Sequence, residues 1–164
     1  MSMGSEFTHL DEAGAARMVD VSAKNVSARS ATATGFVRLS PHCVALLRAG
    51  DIPKGDALSV ARIAGIMGAK RTPDLVPLCH PIALHGVKVD LSVEDGGVAI
   101  VATTRTADRT GVEMEALTSV AAAALALIDM VKAVDPAAVI TDVRVEEKLG
   151  GKTGAWRRSD EERA

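Results

Sequence analysis

The chain has 164 residues and a formal net charge of −2; 48% of its residues are hydrophobic, 24% are charged and 2% are aromatic. That length predicts one domain with a buried core, and the charge balance excludes a general nucleic-acid or anionic-membrane surface. The scarcity of aromatic residues also excludes the base-stacking surface of single-strand binders. The core must be aliphatic and alanine-rich, with little buried area per residue, which favours oligomerisation.

The two ends of the chain are expected to lie outside the domain. The first residues include Gly-Ser-Glu-Phe, which joined cloning sites often encode, so we interpret residues 1–7 as a leader. The domain is expected over residues 8–156, with irregular structure up to about Ser30, and a polar tail over residues 157–164. We find no signal peptide and no apolar run of the length needed to span a bilayer.

Hydrophobic periodicity predicts elements in the order strand, helix, helix, strand, strand, helix, strand. In chain order they cover residues 36–39, 41–49, 57–71, 84–93, 98–104, 111–134 and 139–147. Ser40 and Asp56 are suitable N-caps, whereas Gly50, Pro73 and Pro136 end the helices. This order is the split β-α-β pattern. We therefore predict an α+β, ferredoxin-like fold, in which an antiparallel sheet has its helices packed on one face.

Cysteine and histidine spacing indicates neither a disulfide framework nor a metal site. Cys43 and Cys79 are far apart and form no C-x-x-C pair, as in a reduced, cytoplasmic protein. His42, His80 and His85 lack the H-x-x-x-H and H-E-x-x-H spacings of zinc sites. We therefore expect no bound metal.

Three short segments place ionisable side chains in otherwise uncharged surroundings. His80 follows Cys79 in a loop, where functional residues are often carried, although a loop histidine bonded to the backbone is the commoner case. Glu115 lies near the start of the long helix, where acidic groups also suit the helix dipole. Asp129 and Lys132 have the i, i+3 spacing of a surface ion pair. The apolar segment before them favours a proton-transfer couple instead.

Cationic side chains that are candidates for phosphate contacts are scattered along the chain: Lys24, Arg29, Lys54, Lys70, Arg71, Lys148 and Lys152. Lys152 belongs to a Gly-rich loop at residues 150–154 that lacks the Walker A spacing. This loop can still contact phosphate through its amine and backbone N–H groups. The alternative is an exposed C-terminal loop.

Several order-preserving motifs resemble those of the MoaC family, the cyclic pyranopterin monophosphate synthases of molybdenum cofactor biosynthesis. They are MVDVSAK at 18–24, KGD at 54–56, ARIAGI at 61–66, AKRT at 69–72, PLCHP at 77–81, TGVEMEALT at 110–118 and DMVKA at 129–133. The resemblance covers about residues 8–156. It implies a lyase without a cofactor, which converts (8S)-3′,8-cyclo-7,8-dihydroguanosine 5′-triphosphate to cyclic pyranopterin monophosphate and pyrophosphate.

The resemblance also implies which residues form the site. The implied catalytic residues are Asp129, Lys132, His80, Glu115 and Lys54, and the implied substrate-binding residues are Leu78, Cys79, His80, Met114, Glu115, Arg29, Lys70, Lys148 and Lys152. Ring opening and closure need proton transfers, and loss of pyrophosphate needs nearby cations. The competing interpretations are a non-catalytic nucleotide sensor and a metal-dependent phosphohydrolase.

The same resemblance implies a homohexamer, a trimer of dimers with active sites at subunit interfaces, and neither nucleic acid nor membrane as a partner. If one unbroken helix carries Glu115 and Asp129, their 14-residue separation places them roughly 21 Å apart. Either that helix begins later or neighbouring chains share the site, and we favour a shared site. The small-residue helices 57–71 and 116–128 suit close packing against another chain.

Overall fold

The structure, a computed structural model, describes residues 9–163, so the leader predicted over residues 1–7 lies outside the described residues. Its elements in chain order are β1 (Ser27–Arg38), α1 (Pro41–Ala49), α2 (Ala57–Ala69), α3 (Thr72–Leu75), β2 (Gly86–Glu94), β3 (Gly97–Asp108), α4 (Glu113–Val131), β4 (Val139–Leu149), β5 (Trp156–Arg157) and a 3₁₀ helix at Glu161–Arg163. The strands form one antiparallel sheet in the order β2-β3-β1-β4-β5.

This strand order confirms the predicted α+β, ferredoxin-like fold. Strand β3 lies between β2 and β1, and β1 lies between β3 and β4, so a strand of the other unit splits each β-α-β unit. Helices α2 and α4 pack against each other and against the sheet. The segment between α3 and β2 consequently reaches the first turn of α4, where the candidate site lies.

Strand β1 is longer than the sequence predicted. It runs for 12 residues from Ser27, so the expectations of a short strand at residues 36–39 and of irregular structure up to about Ser30 were wrong here. Most of its residues are Ser, Ala, Thr or Gly, which carry little hydrophobic signal. β1 nevertheless pairs with β3 along one edge and with β4 along the other, and Ala31 and Ala33 are buried. Pairing within the sheet therefore decides this strand, and local propensity does not.

The predicted helix caps are confirmed. Ser40 and Asp56 each accept a hydrogen bond from the backbone N–H three residues ahead, at 3.2 Å and 3.0 Å. Gly50 ends α1 with a φ of 75°, in the left-handed region that favours glycine. Pro73 does more than stop α2, because it lies in the first turn of α3, where its missing N–H is tolerated.

Helix α4 is shorter at both ends than the predicted 111–134. Its length and its mean hydropathy of 1.7 over an 18-residue window would suffice to cross a membrane, so the statement that no apolar run has that length was wrong. Half of that window is buried inside the protein, because α4 packs against α2 and the sheet. The buried helix of a protein core can have the same length and hydropathy, so these two properties are weak evidence for a membrane span.

Small residues allow α2 and α4 to approach each other within one chain. A Cβ added at Gly68 would lie 2.4 Å from Ala122 Cβ, and one added at Gly65 would lie 3.1 Å from the Ser119 carbonyl oxygen. The small residues that suggested packing against another chain thus serve packing inside the subunit.

Candidate active site

A cavity of about 300 Å³ opens beside the first turn of α4. Its walls come from the segment before β1, the segment between α3 and β2, and residues 110–115. The lining residues are His9, Val19, Val21, Lys24, Leu78, Cys79, His80, Thr110, Gly111, Glu113, Met114 and Glu115. The structure therefore brings together these predicted substrate contacts: Leu78, Cys79, His80, Met114 and Glu115.

Glu115 supplies this cavity with a buried carboxyl group, since only 4% of the residue is exposed. Burial raises the pKa of this carboxyl, a bond to its own backbone N–H partly opposes that effect, and the charge of Glu113 raises the pKa further. A carboxyl whose pKa is raised keeps its proton closer to neutral pH. Such a group can act as a general acid toward a ligand in the cavity.

Cys79 and His80 belong to the wall between α3 and β2. Burial raises the pKa of the Cys79 thiol, and the charge of Glu115 raises it further, so the thiol is neutral and no strong nucleophile. His80 Nε2 lies 2.5 Å from the Val19 carbonyl oxygen. Because a carbonyl oxygen only accepts, Nε2 carries the hydrogen in this bond. His80 thus combines both sequence interpretations: it is bonded to the backbone and it lines the cavity.

A second cavity of about 260 Å³ adjoins the first, and Lys24, Gly111 and Glu113 line both. Lys148 Nζ lies 3.4 Å from Glu113 Oε1 at this junction. The second cavity gathers four cations that the sequence had suggested for phosphate contacts: Lys24, Arg29, Lys148 and Lys152. Cations and backbone N–H groups of a Gly-rich loop together suit an anionic, phosphate-like ligand.

The Gly-rich loop leaves room for the Arg29 guanidinium. Gly151 has a φ of +83°, and a Cβ added there would lie 2.3 Å from Arg29 Nη1. Arg29 Nε donates a hydrogen bond to the Asp108 carbonyl oxygen at 3.1 Å. Glycine at 151 therefore lets the loop pass close to a side chain that β3 holds in place.

The remaining catalytic candidates form a separate cluster near the other end of α4. Asp129 Oδ1 accepts a hydrogen bond from Lys132 Nζ at 2.7 Å, and Oδ2 accepts one from Lys54 Nζ at 3.0 Å. These bonds, that from Lys132 first, hold the pKa of the Asp129 carboxyl below its usual range. Because α4 is unbroken from Glu115 to Asp129, its rise separates the two residues by roughly 21 Å. Within one chain, the two clusters cannot enclose a single compact ligand.

The residues that line the two cavities differ in part from the predicted site residues. Lys70 is the exposed C-cap residue of α2 and is not among the residues that line either cavity. Lys24, which the sequence had suggested only as one of several scattered cations, and Glu113, which was not among the implied site residues, line both cavities. Their signal in the sequence was position, since Lys24 ends the MVDVSAK motif and Glu113 stands two residues before Glu115. Among residues 9–163, no group of three or more His, Cys, Asp or Glu side chains is arranged to hold a metal ion.

Comparison with known proteins identifies close relatives. A family model described as the MoaC family matches residues 18–151. The chain is 71% identical to a cyclic pyranopterin monophosphate synthase of Streptomyces avermitilis over 152 residues, which are 93% of this chain and 89% of the relative. It is 65% identical to the synthase of Streptomyces griseus over 97% of this chain and 90% of the relative. It is 58% identical to cyclic pyranopterin monophosphate synthase 2 of Mycobacterium tuberculosis over 93% of this chain and 92% of the relative.

Proposed function

Because the chain belongs to the MoaC family, we propose that it is a cyclic pyranopterin monophosphate synthase. This lyase of molybdenum cofactor biosynthesis converts (8S)-3′,8-cyclo-7,8-dihydroguanosine 5′-triphosphate to cyclic pyranopterin monophosphate with release of pyrophosphate. The observation that carries the proposal is the 71% identity to a synthase over 93% of the chain. Residues 8–156 are the proposed catalytic domain.

The two adjoining cavities support one binding mode for the substrate. The guanine-derived ring system lies in the first cavity, where the buried Glu115 and His80 exchange protons with it. The triphosphate lies in the second cavity, beside Arg29, Lys148 and Lys152. With a net charge of −2 for the whole chain, only such a local cluster of cations stabilises the charge that develops on departing pyrophosphate. No cofactor and no metal takes part in the proposed mechanism.

Asp129, Lys132 and Lys54 complete this site from a neighbouring subunit of a homohexamer, a trimer of dimers. The distance of roughly 21 Å along one unbroken helix supports this arrangement. A second support is the surface between the two clusters. There the partly or fully exposed stripe of α4 is apolar throughout: Met114, Leu117, Ala121, Leu125 and Ile128.

The exposed side chains of the helix layer favour a two-fold contact. Leu125 on α4 is 63% exposed, and Ile63 and Met67 on α2 are 58% and 57% exposed. A two-fold interface pairs one surface patch with itself. An axis through the middle of α4 would therefore bring the Asp129 end of each subunit to the Glu115 end of its partner. Both sites of the dimer would then be completed by the same contact.

The proposed location is the cytoplasm. The free thiols of Cys43 and Cys79 support a reducing compartment. A substrate derived from GTP supports the same compartment. Lys70 is exposed at the end of α2 and lies outside both cavities of its own chain. It is therefore proposed to contact the substrate bound to a neighbouring subunit.

Incubation of the purified protein with the cyclised nucleotide tests the activity. We expect equal amounts of cyclic pyranopterin monophosphate and pyrophosphate, and the same yield after treatment with a chelator. Absence of product from a folded, oligomeric preparation would contradict the proposal. Binding of the nucleotide without turnover would instead identify a sensor, and loss of turnover in chelator would identify a metal-dependent hydrolase.

A further inference from the structure

Two threonines of β3 continue the inward-facing side of that strand toward the first cavity. The preceding inward-facing residues, Val98, Ile100 and Ala102, are buried and apolar, and Thr104 and Thr106 are buried as well. A hydroxyl group buried in such surroundings costs free energy unless it is hydrogen-bonded. The partners of these two hydroxyls therefore indicate what the threonines do.

Each hydroxyl donates to a backbone carbonyl of a different cavity wall. Thr104 Oγ1 donates to the Val112 carbonyl oxygen at 2.9 Å, and Val112 is the N-cap residue of α4. Thr106 Oγ1 donates to the Ala83 carbonyl oxygen at 2.6 Å. Ala83 lies in the other wall, three residues after His80. One strand thus holds the start of α4 and the histidine-bearing segment at the same time.

Besides the threonines, few bonds fix the two walls; the histidine-bearing wall has bonds from the Cys79 backbone N–H to the Val76 carbonyl oxygen at 3.1 Å and from His80 Nε2 to the Val19 carbonyl oxygen at 2.5 Å. Over the described residues, no side chain caps α4 by a hydrogen bond at Val112. Residues 79–84 form neither helix nor strand. Further bonds hold the end of this segment to β3: the His85 N–H donates to the Arg105 carbonyl oxygen at 2.9 Å, and the Ala107 N–H donates to His85 Nδ1 at 3.3 Å.

We propose that Thr104 and Thr106 are positioning residues, which set the separation between Glu115 on one wall and the Cys79–His80 segment on the other. Alternate residues of a strand are about 6.7 Å apart. Thr104 is paired with β1 on one edge and with β2 on the other, and Thr106 is paired with β1, so this spacing is held by the sheet. The threonines act through the walls and do not touch substrate. Their effect on turnover rests on the proposed function, whereas their effect on the walls does not.

Valine and serine variants separate the hydroxyl from the shape of the side chain. Thr104→Val and Thr106→Val should each lower kcat at least about tenfold with a smaller change in KM, because displaced catalytic groups lose rate before affinity. The pH–rate profile should shift, since Glu115 changes its surroundings. Thr104→Ser and Thr106→Ser should restore activity to within about twofold. Thr103→Val is the matched control: its hydroxyl bonds Thr32 Oγ1 at 3.1 Å, outside the cavity walls, and kcat should not change.

A second readout follows the wall itself and needs no turnover. Cys43 is 0% exposed, so alkylation by N-ethylmaleimide with mass spectrometry reports on Cys79. Thr106→Val should speed this alkylation several-fold, whereas Thr106→Ser and Thr103→Val should match the wild type. An inactive wild type would count against the proposed function while leaving this readout valid. Folded valine variants with unchanged kcat, pH profile and alkylation, or serine variants no better than valine, would overturn the proposal; if Thr104→Val does not fold, Thr106→Val decides.

Discussion

Burial and ion pairing act in opposite directions on the two carboxyl groups of interest. Burial raises the pKa of Glu115, whereas hydrogen bonds from Lys132 and Lys54 lower the pKa of Asp129. One group therefore keeps its proton toward neutral pH, and the other stays ionised. Carboxyls whose pKa values are driven apart are typical of a site with separate acid and anion roles. We infer that Glu115 donates a proton and that Asp129 orients the two ammonium groups.

Glu115→Gln should lower turnover by about 10²–10⁴-fold, the usual effect of losing an acid catalyst. The same substitution should stabilise the fold at neutral pH. Because the pKa of Glu115 is raised on folding, the native carboxyl binds more protons than the unfolded one between the ordinary and the raised value. Wild-type stability must then fall as pH rises through that window, whereas the glutamine is spared this loss. Thermal unfolding of both proteins, measured from about pH 4 upward, follows this change. A difference in Tm that does not change with pH, or near-normal turnover, would contradict this.

Asp129→Asn and Lys132→Ala should each lower turnover by about 10²-fold or more, with an unchanged Tm. Both side chains are more than half exposed, at 57% and 58%, and exposed ion pairs contribute little to stability. Product formation and thermal unfolding measure the two effects. Asp95→Asn is the matched control. Asp95 forms an exposed ion pair with Arg48, in which the charged atoms are 2.9 Å apart, and this pair lies away from both cavities. Near-normal turnover in both variants would remove the cluster from the site.

At the scale of elements, the sequence predicted correctly those features that depend on interactions between residues close together in the chain. The caps Ser40 and Asp56 act on backbone groups within one turn, so a local pattern contains the whole interaction. Strand β1 depends on partners far away in the chain, which its Ser, Ala and Thr residues do not reveal. Strand β5 at Trp156–Arg157 pairs with β4 at the start of the predicted polar tail, and its two residues show no periodicity.

Some features of the candidate site could be predicted from the sequence, and others could not. The family resemblance implied that residues 78–80 and residues 114–115 contact the substrate together, and the structure places both segments in one cavity. The distance from Glu115 to Asp129 depended on whether α4 is unbroken, which periodicity alone did not settle. The contacts of Arg29 with the Gly-rich loop could not be predicted, because they depend on which strands β1 pairs with.

The tight contact between α2 and α4 makes a prediction about Gly68. In an exposed helix, Gly68→Ala would stabilise by about 1 kcal/mol. Here the added Cβ would lie 2.4 Å from Ala122 Cβ, and such overpacking costs about 1–3 kcal/mol. Denaturant unfolding should therefore show net destabilisation, and the double variant Gly68→Ala/Ala122→Gly should recover part of the loss. A single variant as stable as the wild type would show that the helices separate easily.

At the scale of the whole molecule, the two faces of the helix layer have different tasks. Small residues on the facing sides of α2 and α4 bring the helices together within the subunit. The outer side carries exposed Ile63, Met67 and Leu125, between two clusters that each hold half of the proposed chemistry. An apolar surface that is flanked by the two clusters supports the proposed self-complementary dimer contact.

Mixing two inactive variants tests whether the clusters meet across that contact. Glu115→Gln protein and Asp129→Asn protein, dissociated together and reassembled, should recover about a quarter of wild-type activity, since half of randomly formed dimers are mixed and each mixed dimer has one intact site. The matched control mixes Glu115→Gln with His80→Ala. Glu115 and His80 belong to the same cluster, so each reassembled site receives both residues from a single chain. That chain carries one of the two substitutions, and no activity should return. Equal recovery in both mixtures, no recovery in the first, or a monomer in sedimentation at micromolar concentration would each refute the shared site.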